Sequence, residues 1–478
     1  MCLRTRGALS IDVVRVVGGL RAAVFGILAL AIAFWWTPRA DALPSFAGQT
    51  GAPCSACHIG GFGPQLTPFG IAFRANGYTW RGGTGPWANI PINILVTPSL
   101  QIDAKALPAA PAGYGTNNFF NLLGSGSGIF ITGGYSFNGK FGIGGFEQIG
   151  FSGVPGGSVT AVEATSDLRL TKPLTIGNHS LLLGFDLTNT PSGSDPYNSL
   201  YNGFQFPYLT PFIGPAPSAS PAISALGTTV YGLSLSALYD NKLYIEGGLY
   251  QSWSASTLST MNISPSSLGV ISGTAPYFRL AYQHSWGSNF LEVGGVYMDI
   301  PLQQVPGAVT PSDQNRYIDW GLDATYQHTF GPDTLAITSN ILFETQTLTA
   351  SNAAGLSSNL SNDLTQFRIA AAYYWRNTYG VTLAYASTFG SADPTLYAPA
   401  SLTGSANGYP NSQAIVAQID WTPFGNDTTH AGYPWLNVRI ALQYTYYLKF
   451  NGGTTNYDGF GRNANDNNNL LLFTWWAF

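Results

Sequence analysis

Apolar and polar side chains alternate one for one in segment after segment of this chain, and period two belongs to a strand with two unlike faces. Residues 242–250 read Lys-Leu-Tyr-Ile-Glu-Gly-Gly-Leu-Tyr, which sets Leu243, Ile245 and Leu249 on one face and Tyr244 and Glu246 on the other. In 366–376, Phe367, Ile369, Ala371, Tyr373 and Trp375 oppose Gln366, Arg368 and Arg376. Asp319 and Asp323 take the polar side in 317–330, as do Gln418 and Asp420 in 412–422. Sixteen such segments begin near residues 91, 127, 140, 158, 178, 227, 242, 274, 288, 316, 333, 364, 378, 412, 434 and 467. Each is of the order of ten residues, the length a tilted strand needs to cross a bilayer.

Composition decides what those two faces meet. Only 9% of the residues are charged, against about 25% in soluble domains, while aromatics reach 14% and glycines number 57. A soluble surface needs more charge. Beyond the N-terminal leader no apolar run approaches the length of a spanning helix, which excludes an α-helical membrane protein. Strands with an apolar face toward lipid, a polar face toward a lumen and aromatics at both interfaces satisfy these facts together. The competing reading, a large soluble β-structure, fits neither the charge deficit nor the last segment, Leu470 to Phe478, which ends on an aromatic residue. That ending resembles the assembly signal of bacterial outer-membrane barrels.

The connections alternate in length. Short turns fall at Asn138-Gly139, Asp240-Asn241, Gly287-Ser288, Gly331-Pro332 and Asn377-Thr378, several with hairpin chemistry. Long Gly/Pro/Ser-rich loops occupy 191–225, 255–273, 301–315, 349–362 and 392–411. Outer-membrane barrels keep short turns in the periplasm and long loops outside, and an even strand number leaves both chain ends on the periplasmic side. The predicted fold class is therefore all-β, a barrel of about 16 antiparallel strands over residues 90–478.

Residues 1–42 read as a signal peptide. Arg4, Arg6, Arg15 and Arg21 precede the apolar run Ala22 to Phe34, and Ala40-Asp41-Ala42 offers a cleavage site; a retained inner-membrane anchor is the alternative. Without these residues the chain carries 14 basic against 21 acidic side chains. No basic tract or stacking platform for nucleic acid, Walker-type loop, G-x-S-x-G elbow or H-E-x-x-H helix is present.

Between leader and first strand, residues 43–89 hold the one motif with explicit chemistry, Cys54-Ser55-Ala56-Cys57-His58. C-x-x-C-H is the attachment pattern of c-type haem: each thiol adds to one vinyl group, and the adjoining imidazole lies where it ligates iron. A redox disulfide would need a βαβ setting, and a four-ligand metal site a second pair of Cys or His; the sequence offers neither. Thr67-Pro68 before and Asn76-Gly77 after predict a helix over Pro68 to Ala75, with Phe69 and Phe73 on one face. Together with Phe46, Phe62, Tyr78 and Trp80 they could cover a haem. Fewer than 50 residues rarely bury enough surface to fold alone, so this haem domain must lean on its cofactor or on the barrel.

The run Leu43 to Gly51 before the motif, and Leu66-Thr67-Pro68-Phe69-Gly70-Ile71-Ala72-Phe73-Arg74-Ala75-Asn76-Gly77-Tyr78-Thr79 after it, resembles the fused outer-membrane cytochrome–porins of iron-oxidising bacteria. That resemblance spans the whole mature chain, though only the surroundings of the haem motif are specific. It implies one N-terminal c-type haem domain joined to a sixteen-stranded barrel, with Cys54 and Cys57 attaching the haem and His58 as its proximal ligand. It also implies an iron:cytochrome oxidoreductase character, with extracellular Fe(II) as electron donor; a periplasmic cytochrome c or cupredoxin would be the acceptor. Two other functions compete: a diffusion porin whose haem domain serves as plug or sensor, and outward electron transfer to external acceptors.

A sixth haem ligand of the Met or His type has to come from the barrel or its loops, because none lies between His58 and the first strand. The candidates are His179, His284, His328, His430, Met261 and Met298. Parity sets His179, His284 and His328 among apolar residues beside short turns, as interfacial girdle positions, and His430 lies in a turn region. Met298 shares the parity of Glu292 and is expected to face the lumen toward the extracellular half, which makes it the first candidate for a distal ligand against a packing methionine or an open or solvent-ligated iron; Met261, in a long outer loop, is second. Lumen parity also gathers Glu163, Asp167, Asp186, Glu246, Glu292, Asp319, Asp323 and Asp420, together with Arg169, Arg279, Arg368 and Arg439. Either ion pairing for rigidity or attraction of cations accounts for these acids.

Overall fold

Each alternating segment forms a strand, and each strand hydrogen-bonds to its sequence neighbours until the last meets the first. The computed structural model describes residues 43–478 apart from 125, 154–158, 200–208, 265–268 and 304–313. The leader expected over 1–42, and with it Cys2, lies outside the described residues.

The strands are β1 (Ile92–Val96 continuing as Ser99–Asp103), β2 (Asn118–Asn121 continuing as Gly128–Phe137), β3 (Phe141–Gly153), β4 (Val159–Ile176), β5 (His179–Thr188) and β6 (Val230–Tyr239). They continue with β7 (Leu243–Ser252), β8 (Val270–Ile271 continuing as Ala275–Trp286), β9 (Asn289–Gln303), β10 (Asn315–Phe330) and β11 (Asp333–Thr347). The circuit ends with β12 (Ser361–Trp375), β13 (Tyr379–Gly390), β14 (Ser412–Trp421), β15 (Asn437–Lys449) and β16 (Asn469–Ala477). All pairings are antiparallel, and β16 closes the sheet on β1 through Ala477 opposite Leu95 and Phe473 opposite Ser99. The result is the expected closed barrel of 16 strands.

The hairpin turns fall where the sequence placed them, except that the one read at Asn377-Thr378 is centred one residue earlier, on Arg376 and Asn377. Asn138 and Gly139, Asp240 and Asn241, and Arg376 and Asn377 all have positive φ, the conformation a tight primed turn requires. One connection at the short-turn end departs from the pattern. The β14–β15 link runs from 422 to 436, and its length has a use described below.

Burial is inverted relative to a soluble protein. Leu235, Leu322, Leu383 and Ile419 are exposed on the outer wall, whereas Glu246, Arg279, Gln366 and Gln443 are each 0% exposed inside. A leucine belt facing outward is stable only against lipid, so this is a membrane barrel of the outer-membrane type. His179, His284 and His328 sit on the outer wall beside Tyr239, Trp286 and Phe330, the interfacial positions that parity predicted.

The lumen is filled in two layers. At the short-turn end lie α1 (Pro44–Thr50), α2 (Cys54–Cys57) and α3 (Pro68–Ala75), contributed by the residues ahead of β1. Above them runs a strap from the β5–β6 connection, with the short helices α4 (Pro191–Ser194) and α5 (Ala222–Ala225). Both layers belong to one compact unit with the barrel.

Candidate functional site

The C-x-x-C-H motif is one helical turn followed by a sharp departure. Cys54 to Cys57 form α2, so the two thiols stand one turn apart, and His58 leaves the helix in an extended conformation while its N–H donates to the Cys54 carbonyl at 2.9 Å. Neither cysteine is in a disulfide. Burial pushes the Cys57 thiol up to about 12 and lowers the His58 imidazole to about 4, the latter opposed by a backbone contact with Gly63. Both groups are therefore neutral at physiological pH, and a neutral imidazole is the form that ligates a metal.

Helix α3 locks this turn. Thr67 caps it as the sequence predicted, its hydroxyl accepting from the Gly70 N–H at 3.1 Å, and the helix spans the expected Pro68–Ala75. The Thr67 N–H donates to the Cys57 carbonyl at 2.9 Å, and a side chain at Gly70 would place its Cβ 2.2 Å from that same oxygen. Only glycine lets α3 lie this close to the motif. Phe46 stacks on Tyr78 at 5.1 Å, Phe73 meets both edge-on, and Phe69 stands against Trp80 at 5.1 Å. Phe69 and Trp80 keep 37% and 46% of their surface exposed.

Docking into the barrel gives Tyr78, Phe62 and Asp167 a new role and adds Asn93, Gln327 and Asn437, which the sequence reading did not single out. The Tyr78 hydroxyl donates to Asp167 of β4 at 2.6 Å, and Arg74 lies 3.4 Å from the same carboxylate and also bonds the strap at Gly193 and Asn198. Asn93 of β1 accepts from the Ser45 N–H, Gln327 of β10 donates to Leu66 and Asn437 of β15 to Gly61. Gly60 lies against Tyr374 of β12 so closely that a Cβ there would fall 2.2 Å from the ring. Phe62 packs edge-on against Trp475 of the terminal strand at 5.7 Å. The Gly60-Gly61 run after His58 was the one available sequence signal for this close approach.

The long β14–β15 link serves the same end of the barrel. Gly425 accepts from the Ser55 N–H at 3.0 Å, and the Tyr433 hydroxyl donates to Ala52 at 3.1 Å. His430 lies in this link against Phe424, and its Nδ1 accepts from the Gly432 N–H at 3.1 Å. Its proton is thereby directed to Nε2, the opposite tautomer from an Nε2 iron ligand.

Met298 is 0% exposed and faces the lumen, as its parity required. Its neighbourhood is a different matter. It belongs to an apolar cluster with Ala222, Ile223, Leu226, Tyr277, Ile300 and Tyr317 under the strap, whereas the N-terminal segment shares a cluster with Phe290 of β9 through Ile71 and Ala75 of α3. Eight residues of β9, roughly 26 Å of strand, separate the two. The structure brings Cys54, Cys57 and His58 together and leaves Met298 with the packing of the upper layer; Met261 caps a helix in an outer loop.

The lumen-parity charges are inside. Asp167, Asp186, Glu246, Glu292, Asp319, Asp323 and Asp420 are all buried, as are Arg169, Arg279, Arg368 and Arg439. Arg279 pairs with Asp323 at 2.6 Å, Glu292 at 3.1 Å and Asp195 of the strap at 3.4 Å, and Arg439 pairs with Asp420 at 2.7 Å. For these, ion pairing is the reading that holds. The side chain of Glu163 lies outside what is described.

The residues fit a covalently attached haem. Two unbridged thiols stand one turn apart, the His58 Nδ1 is buried without a hydrogen-bond partner, and two large aromatics remain exposed on the neighbouring elements.

No family model matches the chain, and no curated relative does. Among solved structures it is similar to a loop-deletion mutant of OmpT, an outer-membrane protein of Vibrio cholerae, at 11% identity and a TM-score of 0.45, over 81% of this chain and 98% of that one. It is similar to the outer-membrane channel DcaP of Acinetobacter baumannii at 12% identity and a TM-score of 0.45, covering 81% and 96% of the two chains. An anion-selective porin from Comamonas acidovorans follows at 11% identity and a TM-score of 0.44, covering 81% and 98%.

Proposed function

We propose that this protein carries electrons across the outer membrane through one c-type haem, attached at Cys54 and Cys57 and ligated by His58, from extracellular Fe(II) to a periplasmic cytochrome c or cupredoxin. The observation that carries this reading is a C-x-x-C-H turn seated in the short-turn end of a lumen whose described interior side chains are closed off from solvent. A diffusion porin needs a wet lumen, and here Gln101, Arg279, Glu292, Gln366 and Gln443 are each 0% exposed. Movement of an electron needs no such passage.

Bound haem supplies reversible one-electron chemistry. The chain supplies position, access and a dry surround. Cys54 and Cys57 fix the group to α2, Gly70 holds α3 against it, and the ties from Tyr78, Arg74 and Gln327 hold the whole segment to the wall. Exposed Phe69 and Trp80 favour contact with a soluble acceptor at the short-turn face. Ferric iron is poorly soluble at neutral pH, which favours leaving the ion outside and moving only the electron.

Anaerobic mixing of the purified protein with Fe(II), followed in the haem absorption bands, tests the reading. Reduction at one electron per chain is expected. Absence of covalent haem, or solute-dependent conductance in planar bilayers with no haem reduction, overturns it in favour of a porin.

A further inference from the structure

The short-turn face is unevenly charged. Residues 77–85, with 136–142 and 170–180 around the β2–β3 and β4–β5 turns, carry Arg81, Lys140 and Lys172 and no Asp or Glu, although residues 43–478 hold 14 basic against 21 acidic side chains. The acids of this face lie on later turns and are engaged there. Asp240 bonds His179 at 2.6 Å, Asp333 accepts from the Tyr373 hydroxyl at 2.6 Å, and Asp427 accepts from the Thr429 hydroxyl at 2.7 Å.

The basic arc and the N-terminal segment make one surface. Arg81 Nη1 donates to the Gly134 carbonyl of β2 at 3.1 Å, a Cβ at Gly142 of β3 would fall 2.5 Å from the Thr79 side chain, and the Thr171 hydroxyl of β4 donates to the Asn76 carbonyl at 3.2 Å. Lys140 follows the β2–β3 turn, and Lys172 follows Thr171. All three cations are exposed, as are Trp80 beside Arg81 and Phe69 against Trp80. Arg81 is further held by two neutral acceptors at 2.6 Å, the Ala88 carbonyl and Asn89 Oδ1, which fix the guanidinium and leave its charge uncancelled. The exposed ion pairs among the described residues engage other groups, Lys105 with Asp466, Arg316 with Asp299 and His179 with Asp240. Apolar rings rimmed by cations suit a partner of opposite charge: the charges raise the encounter rate, and the rings make the contact.

We propose that Phe69, Trp80, Arg81, Lys140 and Lys172 form the docking surface for a soluble periplasmic electron carrier whose own docking face is acidic. Trp80 and Arg81 belong to the segment inside the ring of strands, which favours a protein over phospholipid headgroups as the anionic partner. The proposal rests on the electron-transfer reading for what the carrier does, and on charge for which carrier is chosen. One electron passes outward in the encounter, oxidising this protein and reducing the carrier, with no bond made or broken.

Full-length protein in phosphatidylcholine nanodiscs, reduced and freed of reductant, is mixed with an oxidised cupredoxin of acidic surface, followed at its blue copper band, and with the same cupredoxin after its surface carboxylates are amidated. The acidic form is expected to be reduced about fivefold faster at about 10 mM salt, and the two forms alike at about 1 M, where charges are screened beyond roughly 3 Å. Lys140→Gln/Lys172→Gln, which leaves the bonds of Arg81 in place, should slow the acidic form about threefold and the amidated form not at all, and Arg81→Lys should keep the wild-type rate. Cosedimentation of the acidic cupredoxin with the nanodiscs reads docking without electron transfer. Charge-selective docking with no reduction, or with no covalent haem, supports the surface and overturns the electron-transfer reading. Equal docking of the two cupredoxin forms at low salt overturns the proposal. So does a double variant that docks as the wild type does but changes thermal stability in phosphatidylglycerol nanodiscs, which would assign the lysines to lipid headgroups.

Discussion

The two halves of the lumen are filled by different means. The lower half receives residues from ahead of the barrel, seated by polar ties to the wall and by glycines that allow backbone to touch it. The upper half receives a loop from within the barrel, seated on an apolar cluster around Met298 and Tyr277. The lower layer leaves Phe69 and Trp80 exposed at the short-turn face, whereas of the strap's described aromatics Tyr197 is buried and Phe212 half-buried. Each layer also borrows the other's means: Phe62, Ile71 and Ala75 of the lower segment pack in apolar clusters with the wall, and Arg279 bonds the strap at Asp195 and Ser199.

The largest expected effect breaks the lower half alone. Replacing Cys54 and Cys57 together by Ala is expected to abolish covalent haem, read as loss of haem staining after denaturing electrophoresis, while the barrel still assembles. His58→Ala should keep the covalent attachment and change the spectrum. Normal haem staining in the double variant would remove the functional meaning of this half.

The seam between the layers comes next. Arg279→Met keeps side-chain length and apolar volume but leaves Asp195, Glu292 and Asp323 buried beside one another. Breaking such a network by removing one partner costs about 3–5 kcal/mol. The strap is held to the wall there through Asp195 and Ser199, so its release is the expected outcome, measured as new single-channel conductance in planar bilayers. A variant as tightly closed as the wild type would mean that the apolar cluster alone holds the upper layer.

The wall of this molecule was legible in its residues, and its filling was not. Alternation is a local property: Leu243, Tyr244, Ile245 and Glu246 each declare a face, and the structure puts each where parity placed it. Turn chemistry is equally local, as at Asn138-Gly139. The breaks inside β1, β2 and β8 fall at Pro98, at Gly124 and Gly126, and at Gly273, whereas the length of the 422–436 link, whose Gly425 and Tyr433 tie to the N-terminal segment, carries no periodic signal. Met298 marks the limit most clearly. Parity gave its side correctly but could not give its partner, because depth along a strand and the path of a loop of more than 30 residues are both non-local.

At the rim of the upper half, Asp393 sharpens the comparison with a smaller, pH-dependent effect. Burial would raise its carboxyl, but N–H groups of Leu396 and Ser358 and the side chains of Ser357 and Asn362 outweigh it and hold it well below the usual carboxylate range. A depressed folded pKa contributes stability that is present above the ordinary range near pH 4 and is lost only as pH falls through the lower folded value. The 391–411 loop is therefore expected to stay resistant to an acid protease such as pepsin between about pH 3 and 4, where ordinary carboxylates protonate, and Asp393→Asn to open it. Equal resistance of the two proteins would show that the carboxylate does not anchor this loop.

The smallest effect is expected where the sequence pointed most sharply. Met298→Leu removes a sulfur donor and nearly preserves volume, and such exchanges in a packed core cost less than about 1.5 kcal/mol. If Met298 only packs beneath α5, as its neighbours Ile223, Ile300 and Tyr317 indicate, haem spectrum and reduction potential should be unchanged. A thioether on the iron would instead give a potential that falls when the sulfur is removed and an altered ferric spectrum. The variant therefore asks whether the upper half communicates with the lower one. A shifted potential would mean that the N-terminal segment rises some eight residues along β9 from the cluster it shares with Phe290, and that the two layers trade places during function. An unchanged one leaves the halves as the structure divides them, with the C-x-x-C-H turn below and the strap above.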